Sequence, residues 1–354
     1  RINLSQRRKA AKNSLRLCVF ARDRTKMTNE KKLRVAVLYG GKSGEHEVSL
    51  MSAGCVMEEL DAERYEITPV FINKAGEWAI PMEQLREFDV VFPVLHGPNG
   101  EDGTVQGLLT VMGVPFVGAG VVGSAVAMDK VVFKDVMRAN GLPVAPSVVV
   151  RRHEWQTGAD AIRKKVATDI GYPCFAKPAN MGSSVGITKV HAADELDAAI
   201  DEAFKWDRKI LLEWAVPRAR ELEVSVLGND ELKASIVGEI VPNREFYTYA
   251  AKYLDKGEDE SKLLMPAPIP EPLSRLIREV AAEVATLADV RGMARVDFLL
   301  DGDANEIYIN EINTIPGFTT ISMYPKLWIE SAASPLNTLV FAGALLPIIS
   351  TIFK

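Results

Sequence analysis

Short apolar runs alternate with helical stretches along the first third of the chain. Residues 33–39, 65–72 and 88–95 are rich in Val, Ile, Leu and Phe. Short runs that are mostly apolar are typical of strands buried in a parallel sheet. A helix is predicted between the first two strands, from about Val48 to Leu60. The pattern therefore predicts a doubly wound parallel-sheet domain over residues 33–125, in a chain of α/β class with α+β parts.

Polar residues stand where these strands end, which is where open α/β sheets bind their ligands. Glu45 follows the first strand at the entrance of the predicted helix, and His96 follows the third strand. Two simpler interpretations stay open: Glu45 as a partner of the helix dipole, and His96 as a structural residue that holds its loop. A Walker A loop is excluded at Gly41-Lys42-Ser43, because that motif needs glycine at position 36, where the chain has Ala36.

Alternating polar and apolar positions over residues 293–313 predict a β-hairpin. Arg295 and Asp297 share one face of its first strand, and Glu311 and Asn313 share one face of its second. Antiparallel pairing across the Asp-rich and Gly-containing turn sets Asp297 roughly opposite Glu311. Two carboxylates and an amide oxygen suit Mg²⁺ better than zinc, since no Cys or His lies nearby. The alternative is a hairpin with a solvated polar face.

Two glycine-containing loops are candidates for binding anions. Residues 314–319 form a tight Pro-Gly loop after the hairpin, and the backbone N–H groups of such a loop are suited to face an anionic intermediate. The loop between Gly182 and Gly186 contains Ser hydroxyls and follows a predicted strand that ends near Lys177. Small residues let backbone N–H groups approach phosphate oxygens, and the lysine supplies positive charge. A flexible Gly-Ser turn is the alternative for the second loop.

Three further charged residues stand at the ends of predicted elements. Lys130 lies near the start of a helix that runs to Ala139, where a cation is unfavourable unless an anion is close. A plain surface lysine is the alternative there. Glu213 ends a short apolar strand, and Glu221 lies in a strand-like segment that follows. Acidic residues at such positions accept hydrogen bonds from ribose hydroxyls, with capping and solvation as the alternatives.

The segment 243–270 is aromatic and charged and has no apolar period of its own, which is typical of a lid or of a disordered segment. Its aromatic residues favour a lid that packs onto a closed site. Residues 274–288 then have the apolar spacing of a helix. These elements predict a central domain over residues 126–215 and a C-terminal domain over residues 216–335 that carries the lid.

Composition narrows the class of protein. The 354 residues are enough for two or three domains, and 47% hydrophobic with 25% charged residues is typical of a soluble globular protein. A formal net charge of -5 argues against a nucleic-acid-binding protein, which needs a basic surface. Cys18, Cys55 and Cys174 match neither a disulfide framework nor a zinc pattern, and a reducing, cytoplasmic setting is the simplest inference.

Both ends of the chain differ from the rest. Residues 1–26 are rich in Arg and Lys, start without Met and lack the apolar core of a signal peptide, so the sequence reads more naturally from Met27. We expect residues 1–32 to be a disordered extension, a basic arm or an added segment. Residues 336–353 carry no charge and contain Pro347. A buried terminal helix or an abnormal terminus is the interpretation here, with a membrane anchor as the alternative.

Seven motifs in a fixed order resemble those of the D-alanine–D-alanine ligases of the ATP-grasp superfamily. The motifs are GGKSGEHEVSL, HGPNGEDG, MDK, KPANMGSSVG, EFYTYAAKY, ARVDF and NEINTIPGFT. One Gly-rich loop would carry little weight, but seven ordered motifs over roughly residues 33–335 are specific. The resemblance implies a three-domain ATP-grasp fold in which ATP is clamped between the central and C-terminal domains.

The resemblance also implies a reaction and its ligands. Members of the family join two D-alanine molecules for peptidoglycan precursor synthesis in the cytoplasm, with ATP and two Mg²⁺ or Mn²⁺ ions. It further implies a homodimer, with no nucleic-acid or membrane partner. The residues that it assigns to ATP are Lys130, Lys177, Gly182, Ser183, Ser184, Val185, Glu213, Trp214, Glu221 and Lys252. Those that it assigns to the metal ions are Asp297, Glu311 and Asn313.

The remaining assignments concern the two amino-acid substrates and their reaction. Glu45 would hold the ammonium group of the first D-alanine, with His96 and Ser183 nearby. The carboxylate of that D-alanine would attack the γ-phosphate, and the amine of the second would attack the resulting acyl phosphate. Arg295 and the N–H of Gly317 would stabilise the tetrahedral oxyanion. The other assigned residues are Ser322 and Met323 beside the second substrate and Tyr253 on the lid.

The chain departs from the family pattern at three places. His46 stands where many relatives have Arg, Trp214 stands where several have Lys, and the last eighteen residues lack the usual polar helix. Ligases that make D-alanyl-D-lactate or D-alanyl-D-serine are the alternative within the family, although Tyr253 and Met323 favour an amine as the second substrate. A nucleotide-binding relative without catalysis is a further alternative. The residues that argue against it are Arg295, Asp297, Glu311 and Asn313.

Overall fold

The structure is a computed structural model that describes residues 31–242 and 261–333. The features predicted at the two chain ends, including the apolar segment from residue 336, lie outside the described residues. So do the predicted lid residues Lys252 and Tyr253. In the part of the chain that the structure describes, no helix is long and apolar enough to cross a membrane.

The described strands form one parallel and two antiparallel sheets, which confirms the predicted α/β class with α+β parts. In chain order, the elements are β1 (Leu33–Gly40), α1 (His46–Glu59), β2 (Tyr65–Ile72), β3 (Val90–Val94), α2 (Thr104–Met112), α3 (Val121–Met128), α4 (Lys130–Ala139), β4 (Ser147–Arg151), α5 (Arg152–Asp169), β5 (Cys174–Pro178), β6 (Thr188–Val190), α6 (Leu196–Ala203), β7 (Lys209–Trp214), β8 (Arg220–Gly228), β9 (Lys233–Val241), β10 (Lys262–Leu264), α7 (Glu271–Leu287), β11 (Gly292–Leu300), β12 (Ile307–Asn313) and α8 (Met323–Ala333).

The first sheet is parallel, with the strand order β2-β1-β3. Successive side chains of a strand point to opposite faces. Val35 and Val37 of β1 accordingly pack in one cluster with residues of α1, while Ala36 and Leu38 pack in another with residues of α2. Helices therefore cover both faces, which confirms the predicted doubly wound sheet. β3 begins later than predicted, because the N–H of Phe88 still closes a helical turn onto Leu85.

The second sheet is antiparallel, with the order β4-β7-β5-β6. Apolar residues of α5 and α6, such as Val166 and Ile200, pack against it and are fully buried. The predicted strand ends are confirmed, since Lys177 is the last residue but one of β5 and Glu213 is the last but one of β7. In the antiparallel register Phe175 lies opposite Glu213 and Lys177 lies opposite Leu211.

The third sheet is antiparallel, with the order β10-β9-β8-β11-β12. Its β11–β12 hairpin places Asp297 directly opposite Glu311, as predicted, and a β-bulge follows Asp297. The carboxylate of Asp301 accepts hydrogen bonds from the N–H groups of Asp303 (2.7 Å) and Ala304 (2.9 Å). An Asp side chain that closes its own turn in this way fixes the length of the loop, and with it the register.

Helix α4 lies between the second and third sheets. Its Phe133 and Met137 are fully buried and pack in the cluster that contains Phe298 and Ile309 of the third sheet. At its start, the N–H of Lys130 donates to the carbonyl of Ala179, just after β5 (2.9 Å). The helix therefore connects the two sheets directly, and the domain boundaries at residues 125/126 and 215/216 stay predictions.

The predicted lid segment, residues 243–270, is not without structure throughout. Its later part contains β10, which pairs with β9 so that Leu263 lies opposite Ile240. Leu263 packs against the cluster of Ile240 and Leu327, and this apolar contact explains why the chain rejoins the sheet there. Residues 243–260 lie outside the described part of the chain.

Candidate active site

Two adjoining cavities lie where the three sheets meet. The large cavity has a volume of about 450 Å³ and is lined by residues of the second and third sheets. The small cavity, of about 80 Å³, is lined by loops of the first sheet together with residues of the third. The two share Gly182, Ser183, Glu223 and Glu311. Ligands bound in the two cavities would therefore meet at these residues.

The large cavity collects most of the residues that the resemblance assigns to ATP. These are Lys130, Lys177, Gly182, Ser183, Ser184, Glu213, Trp214 and Glu221. Val185 is not among its lining residues, and its N–H instead closes a turn onto the carbonyl of Gly182 (3.0 Å). Lys252 lies outside the described residues. The residues assigned to this cavity thus come together from α4, β5, β7, β8 and the loop between β5 and β6.

Lys130 is held at the boundary between the Gly loop and the third sheet. Its Nζ donates to the carbonyl of Met181 (2.6 Å) and lies 3.5 Å from Oε2 of Glu311. The residue is buried, so the alternative of a plain surface lysine is wrong. Asp129 caps α4 by accepting hydrogen bonds from the N–H groups of Val131 and Val132. Two carboxylates therefore offset the unfavourable position of a cation at a helix start.

Glu213 is buried between two lysines. Its Oε1 lies 2.5 Å from Nζ of Lys134, and its Oε2 accepts a hydrogen bond from Lys177. Burial acts to raise the pKa of Glu213, but the attraction of the two cations outweighs burial and holds the pKa below its usual value. The solvation alternative for Glu213 is wrong, because the residue is only 1% exposed. Sequence analysis did not single out Lys134.

The Gly loop reaches from the large cavity to the first sheet. Ser183 and Ser184 adopt positive φ angles of 48° and 60°, a conformation that non-Gly residues adopt only where the surroundings hold them. The Ser183 hydroxyl donates to Oε1 of Glu45. A Cβ atom on Gly182 would lie 2.9 Å from Oε2 of the same Glu45, so a larger residue there would displace the Glu45 carboxylate. The loop thus joins the large cavity to the predicted substrate residue Glu45.

Arg295 and Asp297 form a buried bidentate ion pair on β11. Nε and Nη2 of Arg295 each lie 2.7 Å from a carboxylate oxygen of Asp297, and Asn313 Nδ2 donates to the same carboxylate (3.1 Å). Nε of Arg295 also lies 3.0 Å from Oε2 of Glu223. Burial acts to lower the pKa of Arg295, but attraction to Asp297 and Glu223 outweighs it, so the pKa lies well above its ordinary value. The guanidinium is therefore a permanent cation in the wall of the small cavity.

The residue types of the predicted metal site fit a hard cation. Asp297, Glu311 and Asn313 offer carboxylate and amide oxygens, which Mg²⁺ and Mn²⁺ prefer. Within the described residues, no group of three or more His, Cys, Asp or Glu side chains is arranged to hold a metal ion, and only two of the predicted ligands belong to those types. Both carboxylates face cations, Arg295 and Lys130 respectively. A metal ion bound here would replace these two cations as the partner of the carboxylates.

The small cavity collects the residues predicted to hold the two amino acids. They are Glu45, His96, Ser183, Arg295, Gly317, Ser322 and Met323. Asn313 also lines it. Gly317 fits closely in the Pro-Gly loop, because a Cβ atom there would lie 2.7 Å from Oγ of Ser322. The hydroxyl of Ser322 accepts a hydrogen bond from the N–H of Thr319 (3.0 Å) and so closes the loop on itself. Tyr253 lies outside the described residues.

Both ring nitrogens of His96 have partners. Nδ1 lies 3.0 Å from the carbonyl of Ile315, and Nε2 lies 3.0 Å from Oγ of Ser52. A carbonyl only accepts, so Nδ1 carries the proton. Burial lowers the pKa of His96, which agrees with a neutral ring. These bonds fit the alternative in which His96 is structural and holds its loop, while its place at the cavity wall fits the substrate interpretation.

Two carboxylates of the site escaped sequence analysis. Glu101 accepts hydrogen bonds from the N–H groups of Gly97 (2.8 Å) and Ile315 (3.1 Å). Burial, and then repulsion from Glu45, raise the pKa of Glu101 to about 8. Glu223 pairs with Arg295 and lies opposite Asp297 in the sheet. The signals were present, since Glu101 belongs to the HGPNGEDG motif and Glu223 follows Glu221 on the polar face of a strand.

Comparison with known proteins gives consistent matches over both halves of the chain. The family model described as D-ala D-ala ligase N-terminus matches residues 34–87 and 79–119, and the one described as D-ala D-ala ligase C-terminus matches residues 136–340. The D-alanine–D-alanine ligase of Thermoanaerobacter sp. (strain X514) is 49% identical, and the match covers 87% of this chain and 94% of the relative. That of Deinococcus radiodurans is 47% identical and covers 87% and 96%.

Solved structures agree. The VanG D-Ala:D-Ser ligase from Enterococcus faecalis has a TM-score of 0.77 and 34% identity, covering 91% of this chain and 100% of that one. The D-alanine–D-alanine ligase from Coxiella burnetii has a TM-score of 0.74 and 31% identity, covering 91% and 93%. The predicted ATP-grasp fold is confirmed. With family models and relatives matching most of its length, the chain belongs to the D-alanine–D-alanine ligase family.

Proposed function

We propose that this chain joins two D-alanine molecules to D-alanyl-D-alanine and converts ATP to ADP and phosphate. The observation that carries the proposal is the junction of the two cavities. They meet at Gly182, Ser183, Glu223 and Glu311, so the terminal phosphate of a nucleotide in the large cavity would reach a carboxylate in the small one. Ligation through a phosphorylated carboxylate needs this juxtaposition.

ATP binding is assigned to the large cavity. Lys130 and Lys177 supply positive charge for the phosphates, and backbone N–H groups of the loop from Gly182 can approach them closely. Glu221 lies on the cavity wall at β8, where its carboxylate can accept from ribose hydroxyls. Transfer of a γ-phosphoryl group depends mainly on positioning and on neutralising charge, and this set of residues is suited to both.

Two Mg²⁺ or Mn²⁺ ions are assigned to Asp297, Glu311 and Asn313. Bound there, the ions would neutralise phosphate charge and polarise the transferred group. The oxygen-rich donor set supports this assignment, and so does its place between the two cavities. If the carboxylate of Asp297 binds a metal ion instead of Arg295, Arg295 would keep its contact with Glu223.

The first step is the activation of one D-alanine. The carboxylate of Glu45 binds the ammonium group of this D-alanine, and a hydrogen bond from the Ser183 hydroxyl fixes the position of the Glu45 side chain. An oxygen of the D-alanine carboxylate attacks the γ-phosphorus, the bond to the bridging oxygen of ADP breaks, and D-alanyl phosphate forms. The segment predicted as a lid, with Tyr253, is assigned the role of excluding water, since an acyl phosphate hydrolyses readily if it is exposed, and Lys252 is assigned to ATP.

The second step forms the amide bond. The amine of the second D-alanine attacks the acyl carbon, a proton leaves the nitrogen, and phosphate departs with one oxygen of the original carboxylate. A negative charge develops on the acyl oxygen. Its stabilisation is assigned to the guanidinium of Arg295 and the N–H of Gly317, since both residues line the small cavity. Ser322 and Met323 border the same space and are assigned to the second substrate.

The cellular setting follows from this reaction. The dipeptide is a precursor of peptidoglycan, and ATP and free amino acids are cytoplasmic substrates, so we place the protein in the cytoplasm. A homodimer is part of the proposal. Nucleic acid is not expected as a partner, because the net charge is -5.

Phosphate release tests the function. Purified protein is incubated with ATP and Mg²⁺ and with D-alanine, L-alanine, or D-alanine mixed with D-lactate or D-serine, and the products are identified by mass. Release with D-alanine alone, giving the dipeptide, is expected. A mixed product in preference to the dipeptide would indicate the second candidate function, for which the likeness to a D-Ala:D-Ser ligase is the specific observation. ATP binding without release would indicate an inactive relative.

A further inference from the structure

One buried cation of the structure has no place in the proposed reaction. Lys134 lies on α4 and is 2% exposed. It does not line the large cavity, whereas Glu213 and Lys177 do. Nζ of Lys134 contacts Oε1 of Glu213 from behind, at 2.5 Å, while Lys177 contacts Oε2 from the side of the cavity. A buried lysine that touches a cavity residue but not the cavity needs an explanation, because burying a charge is costly.

The three side chains form a charge sequence of positive, negative and positive. Without Lys134, the pair of Lys177 and Glu213 would be neutral and would offer little attraction to an anion in the cavity. With Lys134 present, Glu213 is already compensated, and the group as a whole carries one net positive charge. At the low effective dielectric constant of a buried site, that difference acts strongly on a polyanion nearby.

We propose that Lys134 is a positioning residue that neutralises Glu213 from behind and thereby leaves the charge of Lys177 to attract the phosphates of a bound nucleoside triphosphate. This inference rests on the proposed function insofar as the large cavity binds ATP. It goes beyond that function, because it assigns a role in phosphate affinity to a residue that no phosphate can touch.

A purely architectural role for Lys134 is the competing explanation. Its Nζ is 3.4 Å from the carbonyl of Ile309 on β12, a long hydrogen bond that could simply tie α4 to the third sheet. That role predicts a loss of stability, but no change in the share of affinity that comes from phosphate. The other ion pair near the phosphates, Lys130 with Glu311, does not include Lys134, and none of the variants below changes either of its residues.

The experiment measures dissociation constants for adenosine and for a non-hydrolysable ATP analogue with Mg²⁺, by calorimetry and without D-alanine. The dissociation constant for adenosine divided by that for the ATP analogue isolates the contribution of the phosphates, since both ligands share the nucleoside. A larger ratio means a larger contribution of the phosphates. The variants are Lys134→Met, Glu213→Gln and the double variant that carries both changes. The control is Lys165→Met, which removes an exposed lysine from an ion pair with Asp169 on α5. Circular dichroism verifies folding.

The proposal predicts that the contribution of the phosphates to affinity rises with the net charge of the side chains at positions 134, 177 and 213. In Lys134→Met the ratio should fall about tenfold, the size expected for one unit charge acting on another about 10 Å away at an effective dielectric constant of about 20. The double variant, with one net positive charge again, should return to within about threefold of the wild type. Glu213→Gln should raise the ratio, and Lys165→Met should leave it unchanged.

An unchanged ratio in Lys134→Met would overturn the proposal, as would a double variant as weak as the single one. If Lys134→Met does not fold, the ratios of the double variant and of Glu213→Gln still decide, because both are predicted from charge alone. A wild-type protein that binds the ATP analogue no better than adenosine would contradict the proposed function itself. The wild-type ratio and the variant pattern therefore separate the two failures.

Discussion

Replacing Glu101 by glutamine should flatten the pH dependence of folding stability between about pH 5 and pH 8. The carboxyl of Glu101 accepts hydrogen bonds from the N–H groups of Gly97 and Ile315 at the wall of the small cavity. Burial, and then repulsion from Glu45, raise its pKa from 4.5 to about 8. The folded protein therefore holds a proton that the unfolded chain releases across this window.

The sign and the size of the effect follow from proton binding. Because the folded state binds more protons than the unfolded state here, the contribution of Glu101 to stability is present below about pH 4.5 and is lost as the pH rises through about 8. A window about 3.5 pH units wide, at about 1.36 kcal/mol per unit, gives roughly 5 kcal/mol as the upper limit. Glu101 is partly exposed to the cavity, and screening by water there reduces the expected effect to about 2 to 3 kcal/mol.

Thermal unfolding followed by circular dichroism at four pH values measures this effect. A change of 1 kcal/mol moves the midpoint of a domain of this size by about 2–4 °C. As the pH rises from about 5 to about 8, the wild-type midpoint should therefore fall by roughly 4–12 °C more than that of Glu101→Gln. The lowered pKa of His96 acts in the opposite direction, but it does so in both proteins and cancels. Glu58→Gln, at an exposed position of α1, is the control and should follow the wild type. Parallel profiles for wild type and Glu101→Gln would refute the reasoning.

Three further predictions concern the site. Arg295→Ala should abolish dipeptide formation and leave the affinity for an ATP analogue within about threefold; wild-type turnover in this variant would remove the oxyanion assignment. Asp297→Asn should raise the Mg²⁺ concentration needed for half-maximal phosphate release by at least about tenfold, and an unchanged requirement, measured by titration after chelation, would contradict the metal assignment. Ser52→Ala removes the acceptor of the Phe318 N–H and the partner of His96 Nε2, so unfolding should become easier by about 1–3 kcal/mol. An unchanged thermal midpoint would show that these bonds do not hold the Pro-Gly loop.

The parts of the site that sequence could predict are those fixed by local periodicity. The pairing of Asp297 with Glu311 needs only the two-residue period of a strand and a turn of known length, and the structure confirms it. The positions of Lys177 and Glu213 near strand ends follow from the apolar runs before them. Motif order then identified the family, because many weak signals in one sequence reinforce each other.

The parts that sequence could not predict depend on contacts between distant segments. Glu101 bonds to Ile315, 214 positions away, and Ser52 bonds to Phe318, 266 positions away. Lys134 follows Lys130 by one helical turn and has no local signature of burial, since its partner Glu213 lies far away in the sequence, on β7. Likewise, nothing in the sequence of α4 indicates that Phe133 packs against the third sheet. Such contacts are set by the tertiary arrangement, which propensity and spacing do not encode.

The most direct test of the central claim uses D-alanine labelled with ¹⁸O in its carboxylate. The protein is incubated with the labelled amino acid, ATP and Mg²⁺, and both dipeptide and phosphate are analysed by mass. If the carboxylate attacks the γ-phosphorus and the amine of a second D-alanine then displaces phosphate, each dipeptide should be accompanied by one phosphate that carries one ¹⁸O atom. Dipeptide with unlabelled phosphate would contradict the acyl phosphate route, and the absence of dipeptide would contradict the ligase function.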